Sequence, residues 1–336
     1  MPPSTRGSAM SEPGAPLALR AGAAALTIFA ALALFAPWLA PRDPTRTLDP
    51  AVTALAPPLS SFRTLRLASG RELATSHLAR DAGSWRLEGP GGIRHVEPDR
   101  VDARQPTGEF RFWLGADGLG RDVAARWLCG ARISLAVAAA AVALALAVGI
   151  PAGLLAGLAP GAAGRFCLAG IELAQAFPRL FLLVVLVAVL PAGAVTTVAI
   201  LGLSGWMPVA RLVRAETRRL RAGEFVAAAR CAGVGPLRLA LRHLLPNMTA
   251  PIAVEASLAF GGAVTAEAAL SFLGLGVPAP TPSWGNLIAE GRDVVASAWW
   301  IAFFPGLALV LVGVACTLVG EGLRSRWNAR AGGRAS

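Results

Sequence analysis

Three carboxylates stand where carboxylates are costly. Glu172, Glu255 and Glu267 interrupt long apolar stretches. An acid in such a setting must face protein or water, so Glu255 and Glu267 are candidates for lining a polar path, and helix-to-helix hydrogen bonding is the alternative for each. Glu172 lies nearer the edge of its stretch. Other reactive chemistry is scarce. The chain has no lysine, which removes the phosphate-binding residue of a Walker A loop and the amine of Schiff-base catalysis. Cys129, Cys167, Cys231 and Cys316 are far apart, and so are His77, His95 and His243, so neither a CxxC pair nor a zinc spacing exists and no disulfide is expected. GxSxG and HExxH are also absent, which leaves a membrane enzyme without a reactive constellation. No catalytic, metal or cofactor-binding residue is expected.

The elements that carry these acids belong in a bilayer. Of 336 residues, 55% are hydrophobic, 15% are charged and none is tyrosine, a balance too apolar for a soluble protein of this length. The formal charge of +11 could suggest nucleic acid. The arginines, however, cluster between apolar blocks, so the basicity reads as membrane topology and no nucleic acid is expected as a partner.

Six apolar runs are long enough to cross as helices: 17–39, 133–158, 166–190, 195–213, 250–275 and 298–318. The first could instead be a signal peptide, but it is longer than an h-region. Gly149 and Gly153 mark a place where another helix could approach the second run, and Pro178 should kink the third. Arginine marks the cytoplasmic side: Arg165, then Arg214, Arg218, Arg219, Arg221, Arg230, Arg238 and Arg242, then Arg324 to Arg334. The expected fold is therefore an all-α polytopic membrane protein with six transmembrane helices. Its parts are a cytoplasmic tail (1–16), a first span (17–40), an outer insertion (41–111), a core (112–323) holding a cytoplasmic loop at 214–249, and a second cytoplasmic tail (324–336).

The insertion carries balanced charge, and a loop so long translocates largely regardless of it, which places it outside. Alternation around Ser69-Gly70 and around Gly89 to Gly92 reads as two short hairpins, hence a small β-rich appendage; a polar irregular loop is the alternative.

Three stretches are polar or glycine-rich beyond what a membrane scaffold requires. FWLGADGLGRDVAARWLCGARISL (112–135) places Leu114, Gly115, Asp117, Gly120, Arg121 and Asp122 ahead of the second span. EFVAAARCAGVGPLRLALRHLLPN (224–247) sets the small residues Ala228 and Ala229 before Gly233, which should end a short helix, and Pro246, which should restart the chain toward the bilayer. AEAALSFLGLGVPAPTPSWGNLIAEGR (266–292) ends the fifth span. Together these resemble the inner-membrane permease subunits of ATP-binding-cassette importers of the dipeptide, oligopeptide and nickel class. The second stretch resembles their EAA loop at Glu224, Ala228, Ala229, Arg230, Gly233, Arg242, His243, Pro246 and Asn247. It departs at Ala227, where many relatives carry glutamate, and Ala116 replaces a usual threonine in the first stretch.

The resemblance covers about 112–324. It implies half of a translocation pathway in a bacterial inner membrane, paired with a homologous second permease, two ATPase subunits that bind ATP and magnesium, and an extracytoplasmic substrate-binding protein. The EAA loop would dock on the ATPase; an interfacial amphipathic helix held by anionic lipid is the plain reading of the same loop. Peptides are the expected solute, because no His or Cys cluster lines the spans for nickel. A secondary transporter, the rival class, would show two hydropathy halves with interrupted helices.

Overall fold

Asp122 starts the longest element. Its carboxylate accepts from the Ala124 N–H at 3.1 Å and caps helix α3, Val123–Leu158, which has 36 residues. In the computed structural model, residues 15–332 are described apart from 82, 90, 91, 160, 177–184 and 187–188. The helices are α1 (Ala15–Leu39), α2 (Pro50–Thr53), α3, α4 (Gly161–Ala176), α5 (Ala194–Arg221), α6 (Glu224–Cys231), α7 (Pro236–Leu239), α8 (Thr249–Phe272), α9 (Trp284–Arg292) and α10 (Trp300–Gly332).

Among the described residues, five helical segments are long and apolar enough to span a bilayer: Leu17–Leu39, Val123–Leu158, Ala194–Arg221, Pro236–Phe272 and Trp300–Trp327. The expected third span, 166–190, with Pro178, falls partly outside the described residues. α3 begins ten residues before the expected 133, because the Asp122 cap recruits the polar turn that holds Arg126. α10 likewise runs on to Gly332, so the expected tail from 324 continues a helix.

Glycine lets the helices close. A Cβ on Gly149 would lie 2.7 Å from the Trp206 carbonyl, one on Gly153 2.5 Å from the Ala210 carbonyl, and one on Gly157 2.6 Å from Thr217, so α3 and α5 meet backbone to backbone along one stripe. On the other side, Gly22 of α1 lies against Ala315 and Val319 of α10, and Gly261 of α8 against Cys316. Phe29, Leu135, Trp284, Leu287 and Val312 close the core between α1, α3, α9 and α10.

Residues 61–111 contribute six strands: β1 (Ser61–Arg66), β2 (Glu72–Thr75), β3 (His77–Asp81), β4 (Ser84–Gly89), β5 (Gly92–Val96) and β6 (Thr107–Arg111). They form two antiparallel sheets, β2-β1-β6 and β3-β4-β5. Leu65, Leu87 and Val101 are buried between the sheets, and Gly70 takes φ +80° in the turn from β1 to β2. Asp49, just ahead of α2, joins that segment to both sheets: its carboxylate accepts from the Ala74 N–H of β2 at 3.1 Å and pairs with Arg94 of β5.

Candidate functional site

The EAA-like stretch folds as two short helices about a glycine. α6 ends in a Schellman turn: the Gly233 N–H donates to the Arg230 carbonyl at 2.9 Å and the Val234 N–H to the Ala229 carbonyl at 3.1 Å. Gly233 takes φ +78° with nothing within 4 Å of a would-be Cβ, so glycine is needed there for backbone conformation and not for space. Pro236 then opens α7, and Pro246 lies in the one-turn 3₁₀ segment Leu245–Met248 that leads into α8.

Val226, Leu239, Leu244 and Met248 are buried against Leu154, Val209 and Val213, which pins the loop to the ends of α3 and α5. Arg221 adds hydrogen bonds of 3.2 and 3.4 Å to the Leu158 and Gly157 carbonyls, placing a cation at the α3 C-terminus. The outward surface holds Glu224, Ala227, Ala228, Arg230, Arg238, Arg242 and Pro246, together with Phe225 and Leu237, the latter 71% exposed. Ala229 and His243 are half-buried. The result is a rigidly seated patch of small, apolar and cationic side chains with a free face.

At the other end of the bundle, the first and third stretches meet. Arg126 of α3 donates to Asp117 Oδ2 at 2.6 Å and to Glu290 Oε1 of α9 at 2.8 Å. Arg121 donates to the same two acids at 2.7 and 3.0 Å. Arg126 and Asp117 are 2% and 1% exposed and Glu290 34%, so two cations and two anions form a charge-balanced network with a buried centre and one edge open to solvent. Asp117 also accepts from the Leu119 and Arg121 N–H groups. Beside it, burial pushes the Asp122 carboxyl up to about 6, against the lowering effect of its backbone hydrogen bonds.

The two candidate path residues differ in setting. Glu267 is fully buried; it accepts from Ser271 at 2.7 Å and is surrounded by Ser134 of α3 and Ser283, the N-cap of α9. Ser271 belongs to α8 itself, and Glu267 Oε2 is buried with no hydrogen-bond partner among the described residues. Glu255 is half-buried on α8. Glu172 is exposed on α4. Reading the sequence alone missed Arg126 and Glu290. Each lies inside a stretch singled out there, but their pairing spans 164 positions, which no local spacing reports.

Residues 149–330, holding the α3–α5 glycine stripe, the EAA-like loop and α9, match the family described as binding-protein-dependent transport system inner membrane component. The chain belongs to that family. A di/tripeptide transport system permease protein, DppC, of Pseudomonas aeruginosa is 37% identical over 292 residues, covering 87% of this chain and 81% of the relative. A Brucella ovis protein named as a peptide permease is 39% identical over 239 residues, covering 70% of this chain and 79% of the relative. Among solved structures, a chain of the inward-facing MetNI methionine ABC transporter aligns over 58% of this chain and 94% of its own, at 16% identity and a TM-score of 0.47. As a member of the family, the chain is a multi-pass membrane subunit of an importer.

Proposed function

We propose that this permease subunit forms half of the path by which an ATP-binding-cassette importer carries di- or oligopeptides across the inner membrane. The observation that carries the substrate class is the 37% identity to a di/tripeptide permease over 87% of the chain. Nickel is the second reading, and among the described residues no group of three His, Cys, Asp or Glu side chains favours it.

In this reading six helices cross the membrane, both tails and the 214–249 loop face the cytoplasm, and residues 41–111 face outward toward the binding protein or the second permease. Glu224, Ala228, Ala229, Arg230, Gly233, Arg242, His243 and Pro246 seat the loop in a groove of the ATPase subunit. ATP-driven closure of two ATPases then draws the loops of the two permeases together and rocks the bundles between inward-open and outward-open states. Glu255, half-buried and without the serine shell of Glu267, is the stronger candidate for facing the path.

Gly233→Trp tests the docking role. A non-glycine residue in the left-handed region costs about 1–2 kcal/mol, too little to unfold the bundle but enough to reshape the turn. Peptide uptake should vanish with the subunit still in the membrane at wild-type level; normal uptake would refute docking. Uptake of labelled di- and tripeptides set against nickel uptake in the same cells decides the solute.

A further inference from the structure

Arg132 is a cation set against an apolar cleft. It lies nine residues beyond Val123 on α3, exposed, at the mouth of a cleft of about 460 Å³ between α1 and α3. The rest of the lining is apolar, with Phe29, Ala33 and Leu34 on α1, Ala136 on α3 and Phe260 on α8. No ion pair among the described residues includes Arg132. The acid Asp43 is engaged locally, its Oδ1 accepting from the Thr45 N–H at 2.8 Å and the Thr45 hydroxyl at 2.5 Å.

Depth along the helix says what anion reaches it. Thirty-six residues at about 1.5 Å each make α3 about 54 Å long, against a hydrocarbon core of about 30 Å. With the helix centred, about 12 Å projects at each end, and Arg132 lies about 14 Å from the α3 start. That is the hydrocarbon boundary, the level of lipid phosphates. Below it, the cleft continues beside Ala136 and Ala139, whose small side chains leave room alongside the helix.

A cation at the boundary above an apolar slot is complementary to an amphiphilic anion. We infer that the α1–α3 cleft binds a membrane phospholipid with an anionic headgroup, its phosphate on the Arg132 guanidinium and an acyl chain along Ala136 between Phe29 and Phe260. The cleft volume falls in the range of specific small-molecule sites, about 300–1,000 Å³. The bound chain fills the seam between the first span and the core and holds α1 in place without a further helix. The inference rests on the membrane location of the family and is independent of the solute carried.

Native mass spectrometry of the full chain, co-purified with its partner subunits and titrated with dioleoylphosphatidylglycerol, tests this. The expected result is a retained lipid in the wild type, about tenfold weaker retention in Arg132→Gln and in Ala136→Leu, and near wild-type retention in Arg132→Lys. Dioleoylphosphatidylcholine should bind the wild type less well than phosphatidylglycerol, and Ala136→Leu, which fills the acyl slot, should weaken it further. Equal phosphatidylglycerol retention in wild type and Ala136→Leu overturns the site, even if Arg132→Gln fails to assemble. Loss of the second permease from both variants with lipid retention unchanged also overturns it, because the cleft is then a seam between subunits.

Discussion

Replacing Arg126 by methionine removes the central cation of the Asp117–Arg121–Arg126–Glu290 network while keeping side-chain length. Breaking a buried ion pair by deleting one partner costs about 3–5 kcal/mol. The structure places this case near the lower end. Asp117 keeps Arg121 at 2.7 Å and two backbone N–H groups, and Glu290, 34% exposed, can turn to water. A loss of about 3 kcal/mol is therefore expected. Glu290→Gln keeps acceptor geometry and should cost about 1 kcal/mol. Because the two side chains touch, the double variant should fall short of the sum by about 1 kcal/mol. Thermal unfolding of the detergent-solubilised subunit, wild type with both single variants and the double, reads all four corners of the cycle. Burial also predicts that raising salt from low to physiological ionic strength changes the result little. An Arg126→Met variant within 1 kcal/mol of wild type, or additive single variants, would refute the reading of the network as one buried unit.

Gly153→Val places a side chain 2.5 Å from the Ala210 carbonyl and 2.7 Å from Val213 Cβ, so α3 and α5 must separate; stability should fall by about 3 kcal/mol, the top of the overpacking range, and a neutral result in unfolding assays would contradict the close approach. Asp122 has its folded carboxyl raised to about 6 from 3.8, so the folded state binds the extra proton and stability falls as pH rises from 4 to 6, by up to about 3 kcal/mol. Asp122→Asn keeps the cap acceptor and should flatten that pH dependence, which a series of melts at pH 4 to 8 would measure. Replacing residues 57–109 by a short Gly/Ser linker is geometrically feasible, because Leu59 and Ser60 both hydrogen-bond to Phe112 at the base of the sheets. Assembly should survive while binding-protein affinity drops, and unchanged affinity and transport would show the insertion to be dispensable.

The short-range features were legible because each has a local cause. Gly233 reads as a helix stop since only a residue tolerant of positive φ closes that turn, and it does so at +78°. Gly149 and Gly153 read as a close-approach stripe because small residues four apart lie on one helix face. The apolar run marks where α3 meets the bilayer and not where the helix starts: α3 begins ten residues before 133, at its Asp122 cap, and carries Arg126, an arginine made tolerable by partners far along the chain. Glu267 carried a similar ambiguity. An acid in an apolar run is costly whether it faces a path or a serine shell, and only packing brings Ser134, Ser271 and Ser283 around it.

What joins the two ends of the molecule is α3. At one end its cap residue, Asp122, follows the stretch that is stitched to the base of the strand-bearing unit: Leu48 to Gly120 at 3.1 Å, Leu55 to Asp117 at 3.0 Å, and Ala116 to Ala56 at 2.8 Å. Trp300 of α10 donates its indole N–H to the Ala116 carbonyl at 3.1 Å, and Arg126 fastens α9 to the same stretch. A force applied to the strands therefore meets no flexible joint among these contacts before it reaches α3, α9 and α10. At the opposite end, Leu154 of α3 packs with Val226 and Leu244 of the EAA-like loop. Glycine contact with α5 keeps α3 from sliding independently, since a backbone-to-backbone seam has no side-chain slack to absorb a shift. The strand-bearing end and the loop are thus joined through one helix, whose Pro151 lies between the Arg126 network and Leu154 and marks the point where an interior hydrogen bond is missing and α3 can bend.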